Sequence, residues 1–246
     1  MMLHQDEERI SINHGLDLIQ RKNGLKFGTD ALLLSAFIGK HRKDALGIEL
    51  GSGTGAISLL CLKRNQLQRI IALEVQPLYA ALTSRNAALN GLSDRLEAVC
   101  TDLRDYPAAE QADVVFTNPP YMTADSGAEA EYEEKHLARH EVRGTIDDFC
   151  RCGARMLRYG GSFFAVYRPD RLADLMAAMR EARLEPKRML FVAATPCRAP
   201  SMVLVEGKKG ANCGLVIPPL FVLQNEDGET SDMMERLTQE GLIHGS

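Results

Sequence analysis

The tetrapeptide Asn118-Pro119-Pro120-Tyr121 stands directly after the apolar run Ala112-Asp113-Val114-Val115-Phe116-Thr117. A run of that kind reads as a buried parallel strand, and open α/β sheets bind their ligands at the carboxyl ends of the strands. The two prolines stiffen the turn and restrict the residue before them, so the Asn118 amide is aimed before a substrate arrives. Its oxygen can accept a hydrogen bond from a planar NH2 group, and the Tyr121 ring offers a face on which a flat group stacks. These residue types at this spacing suit the holding of an exocyclic amine for methylation.

A second set lies upstream. Glu49-Leu50-Gly51-Ser52-Gly53-Thr54-Gly55 links an apolar strand to a helix. Its glycines permit a tight turn and close approach of a ligand to backbone, and the helix beyond supplies unpaired N–H groups. Glu74 closes the next strand, where a carboxylate can accept both hydroxyls of a ribose. Asp102 follows the third strand and can accept from an adenine amino group. Singly, each has a plain reading: Gly51, Gly53 and Ala56 also satisfy the dinucleotide pattern G-x-G-x-x-A, Glu74 is a solvated strand end, and Asp102 a turn cap. A nicotinamide enzyme, however, has no use for the tetrapeptide.

The elements that must position these residues alternate. A helix is expected over 29–38, capped by Thr29 or Asp30, with Leu32, Leu33 and Phe37 as its apolar stripe. Strands are expected over 47–50, 69–74, 96–100, 112–117 and 162–167, with two more over 187–192 and 201–205. Pro77 opens a helix that Asn90-Gly91 stops. A helix over 145–157 is ended by Gly160-Gly161, and Leu172, Leu175, Met176 and Met179 form a buried helix face. The alternation predicts an α/β fold, a doubly wound and mostly parallel sheet. The polar stretch from Met122 to Gly144 has the length of a functional or disordered loop beside a strand end. It carries His136, Arg139, His140 and Arg143, which are substrate contacts on one reading and solvated charge on another.

The chain has 246 residues, 45% apolar and 25% charged, with a net charge of -4. This suits one large globular domain with at most a small appendage. No apolar run approaches the roughly 20 residues of a membrane span, and the polar, acidic N-terminus is unlike a signal peptide. The expectation is a cytoplasmic protein. The six cysteines are scattered; Cys61 and Cys100 read as small core residues, and the Cys150-Arg151-Cys152 spacing is too tight for zinc. No metal is expected. Seven basic against three acidic residues between Arg180 and Lys209 give a local balance of +4, which is surface charge or an RNA contact. Arg168, Arg171 and Arg198 are phosphate-contact candidates on the same terms.

As a set, these motifs resemble the class I S-adenosylmethionine-dependent methyltransferases, in the Asn-Pro-Pro-Tyr form found in enzymes that methylate planar nitrogens. Phe27-Gly28-Thr29-Asp30-Ala31-Leu32-Leu33-Leu34 narrows the resemblance to the bacterial tRNA1(Val) adenine-N6 methyltransferases, which modify the adenosine 3′ of the anticodon. It extends from about Ile10 to Leu237. It implies a seven-stranded sheet whose last strand is antiparallel, a core over 46–210, an N-terminal extension and capping helix over 1–45, and a C-terminal extension over 211–246 packed on the core. It implies S-adenosyl-L-methionine as cofactor and an RNA substrate, tRNA foremost. Gly51, Gly53 and Gly55 would line the methionine and ribose of the cofactor, Glu49 would approach its amino group, and Thr29 and Asp30 would close the methionine end. Glu74 would hold the ribose hydroxyls and Asp102 the adenine. Asn118, Pro119 and Tyr121 would form the acceptor site. A sulfonium methyl is already electrophilic, so the task is to free the amine lone pair; the Asn118 oxygen and the Pro119 carbonyl would draw its N–H bonds toward tetrahedral geometry. The alternatives are a ribosomal-RNA guanine-N2 enzyme and a release-factor glutamine-N5 enzyme, the latter disfavoured by the mere 45 or so residues that precede the glycine-loop strand. Monomer and homodimer are both compatible with the sequence.

Overall fold

A computed structural model describes residues 3–12, 15–107, 111–119, 144–241 and 243. The chain opens with a hairpin of β1 (Glu7–Ile12) and β2 (Leu16–Arg21), followed by helix α1 (Thr29–Ile38). Two strand–helix units come next, β3 (Leu46–Leu50) with α2 (Ala56–Lys63) and β4 (Arg69–Glu74) with α3 (Pro77–Leu89), and then the strand β5 (Leu96–Cys100). Then come β6 (Ala112–Thr117), α4 (Ile146–Met156), β7 (Leu157–Tyr167), α5 (Leu172–Glu181), β8 (Leu184–Ala193), β9 (Met202–Lys209), β10 (Phe221–Val222) and α6 (Asp232–Glu240).

The main sheet runs β10-β8-β9-β7-β6-β3-β4-β5. Every pairing is parallel except those of β9, which is antiparallel to β7 and β8. The expected seven strands with an antiparallel last member are present, and the two-residue β10 adds an eighth at the β8 edge. Side chains alternate across the sheet as the pleat requires. Val114, Phe116, Phe164 and Val166 join the cluster under α1 and α2. Val115, Phe163 and Ala165 join the one under α4 and α5. Burial on both faces explains the near-continuous apolar strands, at about 1.5–3 kcal/mol for each large side chain removed from water.

Local differences from the expected elements have identifiable causes. Gly28, in extended backbone, is the N-cap of α1, and Thr29 and Asp30 are its first helical residues. Thr145 caps α4 through a capping box with Asp148, and α4 ends at Met156 rather than at the glycines. Gly160 and Gly161 lie inside β7, where pairing with β6 jumps from Ala112↔Leu157 to Val114↔Ser162. Gly160 at φ +75 accommodates that bulge. Cys100, read as a core residue, is exposed. Pro77 begins α3, and the stop at Asn90-Gly91 is present, with Gly91 at φ +67.

The hairpin has no counterpart in the expected elements. Asn86 of α3 accepts from Ile19 N (2.8 Å) and donates to Ile19 O (3.0 Å), and Asn90 makes the same exchange with Asp17. Arg85 forks onto Glu7, a bidentate pair that holds the Glu7 carboxyl down at about 2. At the other end of the chain, Phe221 and Leu237 are buried in the cluster under α1 and α2. Among the described residues, no helix is long and apolar enough to cross a membrane.

Candidate active site

Sheet order and register bring the motifs together. The chain runs outward from β3 to β5, then returns to place β6 on the other side of β3. That reversal is a switch point, where doubly wound sheets open a crevice. Leu50 pairs with Leu73 on one side and Thr117 on the other, and Glu74 pairs with Cys100. Gly51, Glu74, Thr101, Asp102 and Asn118 therefore leave the sheet at nearly one level. The Thr117 hydroxyl donates to the Leu50 carbonyl at 2.9 Å and fastens the two central strand ends together.

The glycine loop is held from three sides. Gly51 N and Ser52 N donate to the Leu73 carbonyl (2.9 and 3.0 Å). The Thr83 hydroxyl donates to Gly53 O at 3.0 Å, and Asn86 Nδ2 donates to Thr54 O at 2.9 Å. Gly55 sits at φ +77, and a Cβ there would lie 2.8 Å from Thr83 Cγ2. Both the backbone conformation and the close approach of α3 demand glycine at this position. Glu74 accepts from Gly53 N through Oε2 and from Gln76 N through Oε1, each at 2.9 Å. Each of its oxygens keeps a lone pair in reserve.

A cavity of about 340 Å³ opens beside this loop, within the size range of small-molecule sites. Gly51, Glu74, Asp102 and Asn118 line it, together with Gly24, Leu25, Leu73, Val75, Gln76, Tyr79, Thr101, Leu103 and Phe149. Gly53 and Gly55 shape the loop without lining the cavity. Asp102 lines it with its carboxylate forked onto Arg104 (2.9 and 2.5 Å), an ion pair that lowers the acid's pKa. Tyr79 and Phe149 are ring walls that the sequence did not disclose. The Tyr79 hydroxyl accepts from Leu25 N at 3.1 Å, fixing the 24–25 segment over the cavity.

Glu49, Thr29 and Asp30 are not among the residues that line this cavity. Glu49 is 1% exposed, turned into the fold, where its carboxylate accepts from the Ser58 hydroxyl of α2. Burial pushes its pKa up to about 8, against the opposing pull of Ser58. Thr29 and Asp30 line a separate recess with Arg168, Pro169, Asp170, Pro200, Ser201 and Met202. Pro119 is buried beside Asn118. Pro120, Tyr121 and the loop residues His136, Arg139, His140 and Arg143 lie outside the described residues.

Asn118 Nδ2 donates to Asp30 Oδ2 at 2.6 Å, linking the end of β6 to the start of α1. Asn118 Oδ1 is buried without a hydrogen-bond partner among the described residues. Leaving such an acceptor unsatisfied costs about 1–3 kcal/mol. It is therefore a ready receiver for an N–H bond.

The basic run near the end of the core is largely occupied internally. Arg188 pairs with Glu206, donates to Phe37 O and lies 4.0 Å from the Phe37 ring centroid. Arg180 pairs with Glu185, and Lys209 donates to Leu157 O. Arg168 and Arg171 pair with Asp170 and Asp174. The described residues contain no cluster of metal-ligating side chains.

The raised Glu49 pKa has a measurable consequence. Between the unfolded value of 4.5 and about 8, the folded state holds a proton that the unfolded chain has released. Stability from this group is therefore complete below about pH 4.5 and is lost as pH rises through 8, at about 1.4 kcal/mol per pH unit. Glu49→Gln can still accept from Ser58 and has no proton to lose. Thermal unfolding of the ligand-free protein from pH 5 to 8 is expected to show a shallower decline in the variant than in wild type. Parallel curves would contradict the assignment.

A family model described as the methyltransferase small domain matches residues 21–181. The chain is 29% identical over 188 residues to the tRNA1(Val) (adenine(37)-N6)-methyltransferase of Bacteroides thetaiotaomicron, covering 75% of this chain and 77% of that one. A predicted O-methyltransferase of Agrobacterium tumefaciens shares its fold with a TM-score of 0.72 at 18% identity, over 89% of this chain and 99% of that one. A Thermus thermophilus 16S rRNA N2 G1207 methyltransferase, solved with AdoMet and guanosine, gives a TM-score of 0.57 at 16% identity, over 82% of this chain and 50% of that one.

Proposed function

The chain belongs to the methyltransferase small domain family, and on that premise we propose that it transfers a methyl group from S-adenosylmethionine to N6 of the adenosine 3′ of the anticodon in tRNA1(Val). The observation that carries this reading is the buried Asn118 Oδ1 beside the cavity at the switch point, without a hydrogen-bond partner among the described residues. The substrate follows the curated relative, whose name specifies that position. A tRNA substrate supports the cytoplasm as the proposed site of the reaction.

The cavity fits the cofactor. Its volume, the carboxylate of Glu74 with a lone pair left on each oxygen, and the Tyr79 and Phe149 rings match a nucleoside with a ribose diol. Glu74 would hold the ribose hydroxyls and Asp102 the adenine amino group, while Gly51, at the head of the loop that Gly53 and Gly55 shape, would line the methionine and ribose. Bound there, S-adenosylmethionine supplies an electrophilic methyl group on a sulfonium.

The remaining work falls to the acceptor side. The exocyclic amine of adenine is planar, with its lone pair delocalised into the ring. Asn118 Oδ1 accepts one N–H and the Pro119 carbonyl the other, which draws the nitrogen toward tetrahedral geometry and turns its lone pair toward the methyl group. Holding the reacting atoms in line lowers the barrier by up to about 7–11 kcal/mol. Tyr121, outside the described residues, would stack on the base, a contact worth about 1–3 kcal/mol for single-stranded nucleic acid. An anticodon-loop base is already partly unstacked, so extruding it costs less than extrusion from a duplex.

A tRNA1(Val) transcript incubated with the protein and labelled S-adenosylmethionine is expected to gain one methyl group per molecule. A transcript with guanosine in place of the adenosine 3′ of the anticodon is expected to gain none. Equal labelling of both would overturn the assigned position.

A further inference from the structure

We propose that Asp30 is a positioning residue that fixes the Asn118 amide with its oxygen toward the incoming amine, an inference that rests on the methyl-transfer reading above. A side-chain amide has nearly the same shape in two orientations, and a half-turn replaces an acceptor by an NH2 donor. A donor in that place would oppose the N–H bonds it must receive. The proline that follows restricts the Asn118 backbone but does not choose between the two amide orientations.

Asp30 makes that choice. Its Oδ2 accepts from Asn118 Nδ2 at 2.6 Å. An ionised carboxylate cannot donate, so only the orientation with Nδ2 toward Asp30 satisfies the contact, and Oδ1 is left for the substrate. Asp30 is itself fixed at the start of α1, where Oδ1 accepts from Ala31 N at 2.9 Å. A helix N-terminus favours a carboxylate there. Gly28 leaves room for this arrangement, because a Cβ at residue 28 would lie 2.6 Å from Asp30 Oδ1. Asp30 is absent from the lining of the cofactor cavity. Its effect therefore falls on the acceptor amide, which the family resemblance, placing it at the methionine end, did not anticipate.

A rescue experiment on the full chain separates positioning from general structure. Asp30→Ala is expected to lower kcat on tRNA about tenfold or more, with the S-adenosylmethionine Kd from calorimetry unchanged. Asn118→Asp sets two carboxylates against each other and is expected to lose at least as much. Adding Asp30→Asn to Asn118→Asp restores one donor and one acceptor with the direction reversed, and leaves a carboxylate oxygen for the amine. The pair is expected to recover about tenfold over Asn118→Asp alone. Wild-type kcat in Asp30→Ala, a raised Kd with unchanged kcat, or no recovery in the pair would each overturn the proposal. A second measurement needs no turnover. The Asn118 side-chain amide protons, identified in NMR spectra by their loss in Asn118→Ala, are expected to exchange slowly in wild type and faster in Asp30→Ala. Equal exchange would contradict the contact. Absence of methyl transfer by the wild-type chain would overturn the functional reading instead, and the exchange rates would then decide this inference alone.

Discussion

Asn118→Ala is expected to lower methyl transfer by about 10²–10³-fold or more, the scale of losing one preorganised polar group at a reacting centre, while S-adenosylmethionine binding is retained. The substitution removes the one buried acceptor of the site that has no partner among the described residues. It leaves intact the groups assigned to the cofactor, Glu74 and the glycine loop, which are held by α3 and by the end of β4. Loss of the Asp30 contact exposes a carboxylate at the start of α1, so folding should be checked by thermal unfolding alongside activity. A wild-type kcat in this variant would remove Asn118 from the reaction. A cofactor Kd raised in step with the loss of rate would make it a binding residue instead.

The second large effect is expected at Glu74. Glu74 is 5% exposed and lines the cavity, and its carboxylate already orders Gly53 N and Gln76 N. Glu74→Ala removes the ribose acceptors and releases two backbone donors together. With charge-assisted hydrogen bonds at about 1.5–3 kcal/mol each, the S-adenosylmethionine Kd is expected to rise about 10²-fold. Glu74→Gln retains an acceptor and is expected to lose less. Calorimetry with unchanged Kd in Glu74→Ala would exclude the ribose role.

Much of this architecture was legible in the sequence because the signals were local and strong. The strands ending in Leu50, Glu74 and Thr117 are apolar on both faces, and such runs have few alternatives once helical segments separate them. Pro77 and Asn90-Gly91 bracketed α3 by backbone chemistry alone. What escaped notice depended on partners distant in sequence. The hairpin strand Glu7–Ile12 reads as a polar, charged segment; Arg85 of α3 holds it at Glu7, and Asn86 and Asn90 of α3 hold its partner strand at Ile19 and Asp17. Gly160-Gly161 looked like a helix stop because glycine pairs usually are; the bulge they serve exists only against β6.

The site divides the same way. Gly51, Glu74, Asp102 and Asn118 could be placed at one cleft because each follows a recognisable strand. Glu49 could not be placed from spacing. Whether an acid beside a glycine loop faces ligand or core depends on Ser58, one helical turn into α2. Asp30 shared a motif with Thr29, yet its partner is 88 residues away. Tyr79 and Phe149 read as ordinary apolar helix positions, and only the assembled cavity shows them to be walls.

The most direct test of the central claim is nucleoside analysis of unmodified bulk RNA after methyl transfer from labelled S-adenosylmethionine. N6-methyladenosine is expected, confined to tRNA and missing when Asn118→Ala replaces the wild-type protein. Label recovered as N2-methylguanosine from ribosomal RNA, or on a release-factor glutamine, would contradict it.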